Sequence, residues 1–277
     1  MSRAFSAFRC PLCKGPLLAV GRSLRCPAGH SFDQAAEGYV NLLPVNARRA
    51  KDPGDNKEMV AARRRFLQAG HYGPFGAALG ELCLALAKTA RDPHSPRLLD
   101  AGCGDGWYLN ALLAQHPDWL GAGIDISRDA IAQATEQPCP ALWCVGDLRQ
   151  LPFRDGAFTA VLDVLTPADY GEFRRVLAQN GVLVKVFPGT GYLKEIRLAR
   201  GMQPYEEGRV EEYLRGKAQV LAARRVTLSM PVDAALWRDF VWMTPLNQDL
   251  SPEEKERLAA MPAGQVTIDL HVEAVAL

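Results

Sequence analysis

From Arg97 onward, short apolar runs alternate with stretches whose apolar residues recur at helical spacing. The runs are "RLLDA" from Arg97, "LGAGIDIS" from Leu120, "ALWCV" from Ala141, "AFTAVLDVL" from Ala157 and "GVLVKVF" from Gly181. Runs this short, bounded by turn residues, predict strands buried on both faces. "YGEFRRVLAQN", from Tyr170 to Asn180, predicts the helix between the fourth and fifth strands. Such alternation with short links predicts an α/β fold built on a doubly wound sheet. Two late runs, "RRVTLSM" and "QVTIDLHVEAV", are expected to close it, the last one antiparallel.

Upstream, the pattern changes. Asp55 followed three residues later by Glu58 predicts a capped helix running to about Ala69 and stopped by Gly70. A second amphipathic helix is expected from about Gly76 to Ala90. The first 45 residues carry neither period; "DQAAEGYVNLLPV" reads as an apolar tail packing this module onto something larger. The expected division is therefore a small module over residues 1–45, a helical connector over 46–95 and a large domain over 96–277.

Composition narrows the picture without naming a function. A chain of 277 residues that is 48% hydrophobic and 23% charged is not globally disordered. A net charge of +1 means that any nucleic-acid surface must be a local patch. No apolar run reaches about 18 residues, so no membrane span is expected. "MSRAFSAFRC" lacks the apolar core of a signal peptide. The expected compartment is the cytoplasm, where clustered thiols suggest metal or redox chemistry.

Three of seven cysteines lie in one pattern, Cys10-x2-Cys13-x12-Cys26-x3-His30. Two ligand pairs on two turns can converge on one tetrahedral ion, and thiolate with imidazole favours Zn2+. A redox Cys-x-x-Cys has no need of Cys26 and His30. Four protein ligands leave no open coordination position, so the metal is expected to be structural. Arg9, Lys14, Arg22 and Arg25 decorate this module as phosphate contacts or as ordinary solvated charge. Cys83, Cys103, Cys139 and Cys144 are scattered and read as small buried hydrophobes. In the connector, Asn46 to Arg65 holds seven Lys/Arg against three Asp/Glu. Arg63, Arg64 and Arg65 fan around the first helix, so at least one must lie near the body of the protein.

The first strand runs into Gly102-x-Gly104-x-Gly106 and a helix opens at once. Glycines let the backbone turn tightly and approach a ligand, and the helix start offers free N–H groups. Asp100 precedes the first glycine by two positions. Asp125 ends the second strand, where a carboxylate accepts both hydroxyls of a ribose. Asp147, after the third strand, is a candidate for an adenine amino group. The spacing is not the dinucleotide G-x-G-x-x-G. The set matches class I methyltransferases dependent on S-adenosylmethionine.

The whole chain resembles the guanine-N1 methyltransferases of large-subunit ribosomal RNA, the RlmA type. The resemblance rests on "CPLC", "CPAGHSFD", "EGYVNLLP", "DPGD", "FLQAGHYGP", "LLDAGCGDG", "FPGTGYLKEI" and "MTP", in this order. It implies a class I methyltransferase domain with a small N-terminal zinc-binding module that aids RNA recognition. It implies transfer from S-adenosylmethionine to N1 of a guanine in a hairpin loop of 23S rRNA, naked or in an assembly intermediate. By the same resemblance Tyr72, Gly104, Asp105 and Tyr192 line the donor site, and Cys10, Cys13, Cys26 and His30 hold Zn2+. A homodimer also enters consideration. Two departures are visible: Leu165-Thr166-Pro167 stands where relatives have an aromatic residue before Ala-Pro, and Tyr192 stands where His is common.

The chemistry leaves several roles open. Arg63 to Arg65 serve either RNA or inter-domain contact. Trp107 and Tyr108 either stack on a base or pack the first helix of the large domain, and Trp242 reads as core. The proton lost from guanine N1 goes to Asp163, to Asp169 or to water; Asp163 reads equally as a satisfied buried carboxylate and Asp169 as a helix cap. Competing readings are a methyltransferase for another RNA or a small molecule, and a catalytically inactive RNA-binding relative.

Overall fold

The computed structural model describes residues 7–44, 56–89, 95–137, 139–206, 208–261 and 264–277. Asp55 and the arginines at 48 and 49 lie outside the described residues.

The N-terminal module is a three-stranded antiparallel sheet, β1 (Leu18–Val20), β2 (Ser23–Arg25) and β3 (Ser31–Asp33). The apolar tail then does more than pack. Its strand β4 (Val40–Asn41) enters the main sheet. There it joins β5 (Arg97–Ala101), β6 (Leu120–Asp125), β7 (Leu142–Val145), β8 (Phe158–Val164), β9 (Leu177–Pro188), β10 (Gln219–Pro231) and β11 (Gln265–Ala276). The order is β10-β11-β9-β8-β5-β6-β7-β4. Strands β4 to β9 run parallel and β11 lies antiparallel to both neighbours. The strand order reverses at β5, which lies between β6 and β8. In open sheets of this kind, ligands bind at the carboxyl end of such a switch point.

Nine helices are assigned among the described residues. Helix α1 (Lys57–Gln68) is capped by Asn56, whose side chain accepts the Met59 N–H. The expected cap at Asp55 is thus displaced by one residue, and Glu58 closes no capping box. Helix α2 (Gly73–Thr89) starts three residues before the expected Gly76. Pro74 sits in its first turn, where a missing N–H costs no intrahelical bond. Then come α3 (Trp107–Gln115), α4 (Arg128–Ala134), α5 (Tyr170–Val176), α6 (Lys194–Ala199), α7 (Arg209–Arg215), α8 (Ala234–Met243) and α9 (Pro252–Ala259). Helix α5 is shorter than the expected Tyr170–Asn180. Leu177 already pairs with Phe158, and the register then shifts so that Val182 meets Ala160. Asn180, at φ 64, sits in the intervening kink. Strand β10 is nearly twice its expected length; it forms the sheet's edge with mostly exposed residues, so alternation is weak in its sequence.

The connector helix belongs to the body of the large domain. Met59, Val60, Ala62, Phe66 and Leu67 of α1 are buried, and Phe66 meets Phe240 of α8 at 4.8 Å between ring centroids. The N-terminal module is joined just as firmly. Phe8 stacks on Phe153 at 5.3 Å, and the Arg9 N–H donates to the Pro152 carbonyl. Phe8, Leu17, Val40 and Leu42 share one buried cluster with Ile124, Cys144, Leu151 and Phe153. Among the described residues, no helix is long and apolar enough to cross a membrane.

Candidate active site and metal centre

Two tight turns bring the N-terminal ligands together. At the first, Lys14 (φ 62) returns its N–H to the Cys10 carbonyl and the Cys10 N–H reaches Gly15. At the second, Gly29 (φ 85) donates to the Cys26 carbonyl and the Cys26 N–H to that of His30. The ligand atoms of Cys10, Cys13, Cys26 and His30 all lie within 4.8 Å of one another. His30 Nδ1 is 3.5 Å from Cys10 Sγ and 3.3 Å from Cys26 Sγ, and Cys13 Sγ is 3.5 Å from Cys26 Sγ. In a tetrahedral zinc site, thiolates and imidazole stand roughly 3.5–3.8 Å apart. The donor set therefore fits Zn2+ with no open position.

Among the module's described cations, three have partners in the protein. Arg9 pairs with Asp155 and Glu172, Lys14 Nζ donates to the Pro11 carbonyl, and Arg22 to that of Ala35. Gln150 Nε2 also donates to Pro11 O. The first ligand turn thus rests against the loop that leaves β7 at the carboxyl edge of the sheet.

At the same edge, Gly102, Gly104 and Gly106 all have left-handed backbone, with φ of 76°, 55° and 74°. Their surroundings differ. A Cβ at Gly102 would lie 2.5 Å from Thr166 Oγ1, and one at Gly106 would lie 2.5 Å from the Trp143 ring. At Gly104 only an Arg63 guanidinium nitrogen comes within 4.0 Å. Two glycines thus serve packing as well as backbone, while Gly104 opens onto space. Asp125 braces the turn: its oxygens accept from Gly104 N at 3.0 Å and Ser127 N at 2.8 Å.

Asp100 and Asp105 flank this turn, at 1% and 5% exposure. Burial, then the charge of Asp125, pushes the Asp100 carboxyl up to about 8. Burial raises Asp105 too, opposed by the Trp107 N–H and by Arg63. One oxygen of each, Oδ2, has no hydrogen-bond partner. Buried carboxylate oxygens without partners are uncommon, and a bound ligand is one way to satisfy them. An ammonium group would donate to these oxygens, and a sulfonium would add only positive charge.

Tyr72, Tyr108 and Tyr192 line the same place, each phenol raised by burial. Tyr72 is hydrogen-bonded to Tyr192 and packs edge-on against Phe66 and Phe75. Asp147 is placed differently from its expected role. Its carboxylate caps a short turn over Leu148–Gln150 and binds the Arg149 guanidinium at 2.6 Å. An adenine amino group would have to share it with that arginine.

The arginine triplet holds α1 in place. Arg63 donates to the Met243 carbonyl at 3.0 Å, Arg64 pairs with Glu136 at 2.6 Å, and Arg65 forks onto Asp239. Of the two roles left open, inter-element contact is the one these bonds display. Trp107 packs α3 on α2, with its ring against Gly76 and edge-on to Tyr108 at 5.0 Å. Trp242 is half-buried between Arg238 and Lys255.

Asp169 caps α5 by accepting the Glu172 N–H at 3.0 Å. Asp163 is fully buried and accepts from Lys185 Nζ at 2.8 Å. Burial pushes it up to about 6 against the pull of Lys185. Asp163 is thus paired through Oδ2, while its Oδ1 has no hydrogen-bond partner, and Asp169 serves as a helix cap. Lys185 itself was not anticipated. Its signal is a lone cation within the apolar run "GVLVKVF", a residue type almost never buried unless paired.

Two family models match the chain. One, described as "RlmA, N-terminal", covers residues 8–51; the other, "Methyltransferase domain", covers 98–181. The 23S rRNA (guanine(748)-N(1))-methyltransferase of Streptomyces fradiae is 35% identical, over 92% of this chain and 90% of its own. A Bacillus subtilis protein, YxjB, provisionally named for the same rRNA guanine-N(1) reaction, is 32% identical over 97% of this chain and 96% of its own.

The chain belongs to the 23S rRNA guanine-N1 methyltransferase family.

For this guanine-N1 methyltransferase relative, the donor is S-adenosylmethionine and the clustered ligands hold Zn2+. Malonyl-[acyl-carrier protein] O-methyltransferase of Erwinia pyrifoliae matches only 52% of the chain, at 32% identity. That match covers about half of the chain, whereas the matches to the rRNA enzymes cover 92% and 97% of it.

Proposed function

We propose that the protein transfers the methyl group of S-adenosylmethionine to N1 of a guanine in a hairpin loop of 23S rRNA, in the cytoplasm. The observation that carries this reading is a physical union. A Cys3His ribbon shares a buried core with the domain that bears the glycine turn, and its first ligand turn touches the loop leaving β7. A small acceptor has no need of a second module rooted beside the donor. The relatives that match across both modules are named for rRNA guanine-N1 methylation.

Methyl transfer is an in-line displacement from a sulfonium, so the protein's task is chiefly to hold donor and acceptor in line. Gly102 to Gly106 and the carboxyls of Asp100, Asp105 and Asp125 receive the donor. Tyr72, Tyr108 and Tyr192 wall the space beside it. The target base must leave its stack, at a cost of a few kcal/mol. The loop Leu165-Thr166-Pro167 lies against Gly102 and serves as the acceptor's nearest wall. As the N1–methyl bond forms and the S–methyl bond breaks, the N1 proton passes to water, because Asp163 and Asp169 are engaged elsewhere.

The test is transfer of labelled methyl from S-adenosylmethionine to 23S rRNA, free and within large-subunit assembly intermediates, followed by mass mapping. A methylguanine in a hairpin loop of the RNA supports the reading. Incorporation into small metabolites alone, or none into either RNA form, overturns it.

A further inference from the structure

We propose that Lys185 is a positioning residue for methyl transfer: it holds the loop Leu165-Thr166-Pro167 in place against the glycine turn. The inference rests on the reading of that loop as the wall beside the acceptor, and gives a task to a cation inside the core.

A lysine in the middle of β9 is out of place on packing grounds. Val184 and Val186 on either side are fully buried, and Lys185 itself is 5% exposed. Its partner Asp163, opposite it on β8, is wholly buried. A buried ion pair seldom adds stability over apolar side chains of the same size. Stability therefore does not account for this one. What an apolar pair could not do is hold the Thr166 carbonyl. Lys185 Nζ donates to that oxygen at 2.7 Å and to Asp163 Oδ2 at 2.8 Å. The Thr166 N–H also pulls on the Asp163 carboxyl. Both peptide groups of Thr166 are thus tied to one ion pair.

The tie matters because the chain is strained beside it. Leu165 has a φ of 56°, a left-handed backbone that a bulky residue keeps only under constraint. Its N–H donates to the Val186 carbonyl at 3.1 Å. Neighbouring residues of β9 therefore grip two successive residues of the loop. The Thr166 side chain then rests on the glycine turn, its Oγ1 2.5 Å and its Cβ 2.9 Å from where a Gly102 Cβ would be. Loop and turn are set against each other through Lys185. In an in-line displacement, a misplacement of about 1 Å costs on the order of 100-fold in rate. Releasing the loop slows transfer and leaves the donor's own contacts intact.

The experiment removes the pair without stranding a charge. Lys185→Met combined with Asp163→Leu is expected to unfold in urea close to wild type, since neither change leaves a lone buried ion. Its kcat for labelled methyl transfer to 23S rRNA is expected to fall roughly 10- to 100-fold, with the KM for RNA and the Kd for S-adenosylhomocysteine within about threefold. Lys185→Arg, which still donates to both oxygens, is expected to lie between the two. If the double variant does not fold, Asp163→Asn keeps the volume, weakens the hold on the ammonium and is expected to lower kcat at least about threefold with donor affinity unchanged. A folded double variant that turns over as wild type does, an Asp163→Asn protein with wild-type kcat, or a loss of donor affinity equal to the loss in kcat overturns the assignment. Wild-type protein that methylates no 23S rRNA overturns the reading of the function, and the role of Lys185 with it.

Discussion

Lys185 and Asp163 face each other across β9 and β8, with Nζ and Oδ2 2.8 Å apart and 5% and 0% of each residue exposed. The same Nζ donates to the Thr166 carbonyl at 2.7 Å. Thr166 in turn lies against Gly102, and Leu165 beside it takes a left-handed φ of 56°. One buried cation therefore sets both the strand pair and the loop that overhangs the glycine turn.

Lys185→Met strands a buried carboxylate. We expect a loss of about 3–5 kcal/mol in urea unfolding at neutral pH, and a double change with Asp163→Leu that recovers most of it. A single variant as stable as wild type would show that the pair does not act as described.

Asp100 gives stability a defined pH slope. Its folded value, about 8, lies above the ordinary 3.8. The folded state thus binds the proton more tightly, so its contribution is complete below about pH 4 and is lost as pH rises toward 8. Asp100→Asn removes this slope. In the absence of donor, the variant is expected to gain at least about 1 kcal/mol on wild type between pH 5 and pH 8, since one unit is worth about 1.4 kcal/mol. Parallel urea midpoints for the two proteins across that range would contradict the account.

Gly104 and Gly106 should fail in different ways. Gly106→Ala drives a methyl into Trp143 in addition to the left-handed strain, and is expected to cost upwards of about 2 kcal/mol of stability. Gly104→Ala meets no such obstacle and costs about 1–2 kcal/mol, yet its methyl projects toward the donor. Denaturation and S-adenosylhomocysteine titration separate them. The prediction fails if Gly104→Ala binds as wild type does.

Removing zinc should uncouple the two tasks. Cys10→Ser or chelation is expected to release one metal ion per chain, read with a colorimetric zinc indicator, and to abolish methyl transfer to RNA. Donor affinity should stay within a few-fold, because the glycine turn uses no ribbon residue. Zinc-free wild-type protein that retains full RNA activity would refute this.

Phe8→Ala tests the union of ribbon and sheet. Phe8 stacks on Phe153 at 7% exposure, and truncating a buried phenylalanine costs about 3–5 kcal/mol. We expect the cost to appear as an early, separate unfolding step of the ribbon, seen as zinc release before the main transition. Simultaneous loss of zinc and sheet structure would mean that other contacts suffice to hold the module.

Much of the site was readable from the chain alone, for a common reason. The glycine turn, the metal ligands, the Asp169 cap and the alternation of strands and helices are written within a few residues of one another. Their physics is local: a left-handed φ needs glycine, two close cysteines span one ion, and a carboxylate reaches an N–H three residues on. Sequence by itself therefore determined the sheet class, the metal and the glycine turn. Tertiary structure alone decided that β4 joins the large sheet, that Lys185 answers Asp163, and that Arg63 reaches the Met243 carbonyl. Arg63 and the Met243 carbonyl are 180 residues apart. No periodicity links such a pair; they meet only because Phe66 and Phe240 pack α1 against α8, and that face-to-face choice is made by the folded core.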